Sequence, residues 1–288
     1  MRPVSRLFGI FVLPLVVPSV ALAHPGASIA VDRHGTVFFA DTLRGVWKID
    51  PTGTLTFVGP PNFHFFALDD DNLFARFNRH TVEDEIRPIA GASSPTVVVS
   101  SDFAVVISRG GLYFAPGAEG TPLTLVRAAP DGSLKNVATL PALRWLNGIA
   151  AAPDGSIYGT VDTGVFRVAS SGAVSWIARN LMVQDCRRLS DLEDAPASPY
   201  LRGLAVGDDG IVYAAATGCR AVVRISPTGT VSTILKAEGD WSPTAVAVAF
   251  GAVYVLEYDH RAAERVWPPR VRKIDAAGKV TVLATITR

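Results

Sequence analysis

The sequence holds only two cysteines, two methionines and five histidines in 288 residues. A cysteine- or histidine-rich metal scaffold is therefore excluded. It contains no G-x-S-x-G elbow, no H-E-x-x-H pair, no phosphate loop and no dinucleotide fingerprint. That removes the enzyme classes whose chemistry sits in a linear motif, but not one that draws single residues from distant segments. Charge is also scarce: Asp, Glu, Lys and Arg make up 18% of the chain, with a formal net charge of +1. No basic stripe interrupts it, so nucleic acid and anionic membrane are poor partners, and a small molecule or a protein is expected instead. Long apolar runs are missing after the first two dozen residues.

Met1–Ala23 is the exception. Arg2 and Arg6 precede the apolar run Leu7–Val20, and Ala21-Leu22-Ala23 puts small residues where a signal peptidase reads. The pattern predicts a secretory signal cleaved after Ala23, a secreted or periplasmic chain beginning at His24, and no membrane span in the mature protein. Without Arg2 and Arg6, the remaining basic residues almost balance the 26 acidic ones. In an oxidising compartment, Cys186 and Cys219 are expected to pair.

What the chain has in quantity is short apolar runs divided by glycine turns. Ser28–Gly59 carries four such runs, Ile29–Val31, Val37–Ala40, Val46–Ile49 and Leu55–Val58. Asp32-Arg33-His34-Gly35 and Asp50-Pro51-Thr52-Gly53 separate two of the pairs, aspartate holding the turn and glycine supplying positive φ. An apolar-Ala-apolar signature then recurs around Ala30, Ala67, Ala104, Ala150, Ala205 and Ala247, at spacings of about 37 to 55 residues. Second runs follow each: Val37–Ala40, Leu73–Phe77, Leu112–Ala115, Ile157–Val161, Ile211–Ala216 and Ala252–Leu256. The repeat predicts an all-β six-bladed propeller with four antiparallel strands per blade. The blades fall at about 27–60, 62–100, 101–141, 146–180, 201–237 and 243–287. Alanine suits the crowded inner strand, and the ring is expected to close by packing rather than by a borrowed strand. In the second blade, Ile86–Ile89 and Thr96–Val99 read as the outer strands.

Alternation of strand direction puts the first-to-second turns on one face. The long segments Leu181–Tyr200 and Tyr258–Arg270 fall on the other, which is the face expected to carry function. Both cysteines fall on that face, so a disulfide would tether the long connection. The residue three before each repeated alanine reads Ala27, His64, Ser101, Asn147, Arg202, Thr244. Five of these six are polar on an otherwise apolar strand. Either they cap strand ends, or they form a ligand-binding mouth. Trp145 and Trp241 precede two of the inner strands and can pack between blades or stack against a ligand.

The motifs Leu146-Asn147-Gly148-Ile149-Ala150 with Pro153-Asp154-Gly155, and Arg202-Gly203-Leu204-Ala205-Val206 with Asp209-Gly210, give the chain a resemblance to the NHL-repeat and gluconolactonase/senescence-marker propellers. Val271-Arg272-Lys273-Ile274-Asp275 with Gly278 is similar to an NHL repeat. The gluconolactonase branch implies a divalent cation in the channel mouth, held by a glutamate, an asparagine and an aspartate. Asn147 matches the asparagine, but Ala27 stands for the glutamate and Arg202 for the aspartate, and the further Asn-Asp motif reads Ser101-Asp102.

A guanidinium opposes a hard cation, and it favours an anionic or sugar-like ligand, or a protein segment. The alternative is a metal-dependent lactonase or hydrolase with a rearranged site around Asn147, Asp41 or Asp102. A separate metal arrangement joins Asp41 and Glu257 with His24 and His260, the mature N-terminal histidine chelating copper through its amine and imidazole.

Overall fold

The computed structural model describes residues 25–81, 84–89, 95–117, 121–143, 145–186, 199–260 and 267–287. Residues 1–24, where a signal segment is expected and where His24 falls, lie outside them. Twenty-four strands form six separate four-stranded antiparallel sheets, the six-bladed propeller that the repeat implies. Blade one is β1 (Ile29–Val31), β2 (Val37–Asp41), β3 (Gly45–Ile49) and β4 (Leu55–Gly59). Blade two is β5 (Phe65–Asp69), β6 (Arg79–His80), β7 (Glu85–Ile89) and β8 (Thr96–Ser100). Blade three is β9 (Val105–Ser108), β10 (Gly111–Phe114), β11 (Pro122–Ala128) and β12 (Leu134–Ala142). Blade four is β13 (Gly148–Ala151), β14 (Ile157–Val161), β15 (Gly164–Val168) and β16 (Val174–Ala178). Blade five is β17 (Leu201–Val206), β18 (Val212–Ala216), β19 (Ala221–Ile225) and β20 (Val231–Lys236). Blade six is β21 (Trp241–Ala249), β22 (Ala252–Asp259), β23 (Pro269–Ile274) and β24 (Val280–Thr285).

The Asp-Gly turns fold as their chemistry dictates. Asp32 Oδ1 accepts from the backbone N–H of His34 and Thr36 at 2.9 and 2.8 Å, and Asp50 Oδ1 accepts from those of Thr52 and Thr54 at 2.9 Å each. Gly35 and Gly53 sit at φ +84° and +88°, where a Cβ is strained. The six repeated alanines all line the central channel, where the inner strands come together.

Blade two departs from the expected order. Its sheet runs β5-β8-β7-β6, so Thr96–Ser100 pairs with the inner strand and takes the second place instead of an outer one. Leu73–Phe77 is not a strand. The spacing of Phe74 and Phe77 is that of a turn, and both rings are buried, in one apolar cluster with Phe65, Ile86, Val98, Leu112 and Phe114 at the blade two–three junction. Leu73 points out, 44% exposed. Asp69 Oδ2 fixes this departure from the sheet by accepting the Phe74 N–H at 2.6 Å.

Blades one and six each hold four strands of their own, so no strand is borrowed where the ring closes. Ile29, Phe39 and Ile49 pack there against Tyr254, Leu256, Tyr258 and Val271. The fully buried Tyr258 hydroxyl accepts the Gly26 N–H at 3.1 Å and donates to the Ala40 carbonyl at 3.0 Å. Removing that oxygen leaves a buried N–H and a buried C=O without their partner. Tyr258→Phe is therefore expected to lose about 1–3 kcal/mol in urea unfolding. An unchanged midpoint and slope would show that this junction does not depend on the hydroxyl.

Candidate functional site at the upper face

The inner strands begin on the upper face, opposite the Asp-Gly turns, and the residues singled out above gather there. Most of their polar groups are spent on neighbouring blades. Ala27 N–H donates to the His64 carbonyl at 3.1 Å, joining blades one and two. His64 Nδ1 lies 2.5 Å from the Ser101 carbonyl. Ser101 Oγ donates to Asp84 Oδ1 at 2.8 Å and accepts the Glu85 N–H at 3.0 Å. Asn147 Nδ2 donates to the Leu201 carbonyl at 2.8 Å and to Asp162 Oδ1 at 3.2 Å, tying blade four to blade five. Thr160 adds a 2.5 Å bond from Oγ1 to the Arg202 carbonyl. Between blades five and six, Thr217 Oγ1 donates to the Pro243 carbonyl at 2.8 Å and Ser242 Oγ to that of Thr217 at 2.7 Å. Thr244 is fully buried, and its hydroxyl finds no partner among the described residues.

Arg202 differs from the others. Its Nη2 donates to the Pro25 carbonyl at 2.7 Å, reaching from blade five to the segment that leads into blade one. Burial lowers its pKa from the usual value by disfavouring the charged form, with Tyr200 and Tyr258 as the charge-sensitive neighbours. Among the described residues no carboxylate pairs with it. Beside it the backbones of blades five, six and one come close together: a Cβ on Gly203 would lie 2.8 Å from the Ala245 Cα and 2.9 Å from the Ala27 carbonyl oxygen. The channel wall starts at that level, with Ala27, Gly148 and Gly203. His64, Ser101, Asn147, Arg202 and Thr244 sit above it and do not line it.

The two tryptophans separate. Trp145 is 52% exposed on the upper side. The Trp241 ring is covered by the Arg270 guanidinium, 4.0 Å from its centroid. Arg270 also pairs with Glu257 at 2.6 Å, and Arg272 bonds the other oxygen of the same carboxylate. Glu257 is fully buried between these two cations. Asp41 accepts the turn amides of Leu43 and Arg44 on Oδ1 and pairs with the Arg44 guanidinium at 2.8 Å through Oδ2. His260 packs its ring 4.8 Å from that of Trp267.

A hard cation needs several oxygen ligands that nothing else has claimed. Here Ala27 offers none, and Arg202 offers a positive charge. Asn147 presents its NH₂ to a carbonyl and a carboxylate, while Asp41 and Glu257 are neutralised by arginine. The residues present do not fit the divalent ion that the resemblance implies. Among the described residues no three of His, Cys, Asp and Glu come together, and no helix is long and apolar enough to cross a membrane.

Cys186 and Cys219 are disulfide-bonded, 33 residues apart with Cα atoms 4.7 Å from one another. The bond fastens the connection between β16 and β17 to the Thr217–Cys219 turn of blade five. The carbonyls of Pro199 and Tyr200 accept the N–H groups of Gly218 and Thr217 there, at 2.9 and 3.1 Å. The chain is thus held in place as it enters β17 and Arg202. Replacing both cysteines by serine is expected to cost about 2–4 kcal/mol of stability. An unfolding midpoint equal to that of the oxidised protein would contradict this.

Sequence reasoning missed Tyr258 and Arg270. Their partners, Ala40 and Trp241, lie in other blades or other strands, and no local spacing announces either contact.

No family model matches the chain, and no curated protein matches it. Solved structures share the fold. The luciferin-regenerating enzyme is 15% identical with a TM-score of 0.54, covering 93% of this chain and 96% of its own. The calcium-binding protein regucalcin of Agrobacterium tumefaciens is 14% identical with a TM-score of 0.53, over 84% and 85%. Virginiamycin B lyase of Staphylococcus aureus is 14% identical with a TM-score of 0.51, over 88% and 82%. The chain therefore has the six-bladed propeller fold of the gluconolactonase-like proteins and of propeller enzymes with other chemistries. Identities this low speak for the fold alone.

Proposed function

We propose that the protein is an exported binding propeller that takes a small anionic or sugar-like ligand, or an acidic protein segment, on its upper face at Arg202. One observation carries this reading: burial disfavours the charged Arg202 guanidinium, and among the described residues it bonds the Pro25 carbonyl and pairs with no carboxylate. An incoming carboxylate supplies that partner through charge-assisted hydrogen bonds, for which the planar guanidinium fork is suited. Trp145, half-exposed on the same side, offers a flat apolar face to a sugar ring. His64, Ser101, Asn147 and Thr244 frame the site, and Trp241 backs it through Arg270. The disulfide accords with an oxidising compartment, as the N-terminal signal segment also implies.

The lactonase alternative needs a metal site assembled from the same positions, and their hydrogen bonds and charges argue against it. Calorimetric titration with galacturonate, gluconate and neutral glucose separates the readings. The two acids are expected to bind, and Arg202→Ala to weaken them about ten- to a hundredfold, the effect of losing a charge-assisted hydrogen bond. Arg202→Lys retains part of the affinity. Equal affinity in wild type and Arg202→Ala overturns the anion reading. Chelator-sensitive hydrolysis of a gluconolactone by the wild type would establish the alternative.

A further inference from the structure

The chain enters the ring at the upper face, and four residues hold it there. Pro25, Gly26 and Ala27 are buried. The Pro25 carbonyl accepts from Arg202 Nη2 of blade five at 2.7 Å, and the Gly26 N–H donates to the Tyr258 hydroxyl of blade six at 3.1 Å. The Ala27 N–H donates to the His64 carbonyl at 3.1 Å. The Ser28 carbonyl accepts the Ala40 N–H of blade one at 3.1 Å, and its Oγ accepts the Phe66 N–H of blade two at 3.1 Å. A Cβ on Gly26 would fall on the Ala40 carbonyl oxygen, so the entering backbone lies flat against blade one. Residues 25–28 are thus fixed to blades one, two, five and six.

Covalent geometry then decides where the preceding chain departs. The Cα of residue 24 lies within about 9 Å of the Arg202 guanidinium, one peptide unit beyond the 2.7 Å bond. Twenty-three residues stand ahead of His24, among them the apolar run Leu7–Val20. In the uncut chain all of them leave the ring beside the guanidinium. A peptide chain is about 5 Å wide, so one that departs here competes with a ligand for the same approach. Cleavage after Ala23 shortens it to a single residue, and the new end is an α-ammonium, a second cation for an anion to meet.

We propose that the residues ahead of His24 cover the Arg202 anion site in the uncut chain, so that N-terminal cleavage switches ligand binding on. This rests on Arg202 as the anion anchor of the proposed function.

The test inserts, ahead of His24 in the full-length chain, a site for a protease that leaves His24 first. Galacturonate is titrated calorimetrically before and after cleavage. A second chain carries glycine and serine in place of Leu7–Val20, which keeps it soluble. In both, cleavage is expected to raise the affinity about tenfold or more, the effect of freeing a charge-assisted hydrogen bond for the carboxylate. Thermal unfolding before cleavage is expected to show the ring already formed. Equal affinity before and after cleavage overturns the switch and leaves the anion site standing. A ring that forms only after cleavage overturns it as well, because affinity would then follow folding. If the cleaved protein binds no galacturonate, or its Arg202→Ala variant binds equally well, the anion site falls and the switch falls with it.

Discussion

Every blade of this protein is a small sheet with two faces to bury and no means of burying them alone. The ring satisfies that need only if each sheet meets two neighbours, including at the junction between blades one and six. No shared strand fastens that junction. Packing of Phe39 and Ile49 on Leu256 and Val271 does so, with the Tyr258 hydroxyl set between the Gly26 N–H and the Ala40 carbonyl. The same constraint runs round the upper face, where side chain after side chain reaches to the next blade: His64 towards Ser101, Asn147 to Leu201, Thr217 to Pro243.

That belt decides what the upper face has left for a ligand. Polar residues at the head of the inner strands face a choice between holding the ring and holding a ligand, and most hold the ring. Arg202 spends one nitrogen on the Pro25 carbonyl, and among the described residues no carboxylate pairs with its charge. The same fold carries a calcium-binding protein in regucalcin. In this chain Arg202 puts a guanidinium at the mouth, and a positive charge there opposes a hard cation. Glu257 follows the opposite logic: two arginines neutralise it within the blade, which makes it part of the scaffold.

Much of the architecture was legible because its causes are local. An inner-strand alanine, an Asp-Gly turn and an apolar alternation each act over a few residues, and six repetitions gave the blade count. The disulfide was legible because topology put both cysteines on one face beside one blade. Blade two was not, because Leu73–Phe77 has the composition of a strand while Phe74 and Phe77 have the spacing of a turn that buries two rings between blades. The residues at the heads of the inner strands were legible as a set of positions, but not the partners their side chains bond. Whether Asn147 faces a ligand or the Leu201 carbonyl depends on a residue 54 positions away.

The central proposal is that the Arg202 guanidinium at the upper face takes up an anionic ligand in place of a bound cation. A crystal structure of the purified protein grown with galacturonate tests it most directly. The expected density shows the carboxylate on the Arg202 guanidinium with the sugar ring against Trp145. A divalent ion coordinated by Asn147, with the Arg202 side chain turned away from the mouth, would contradict it.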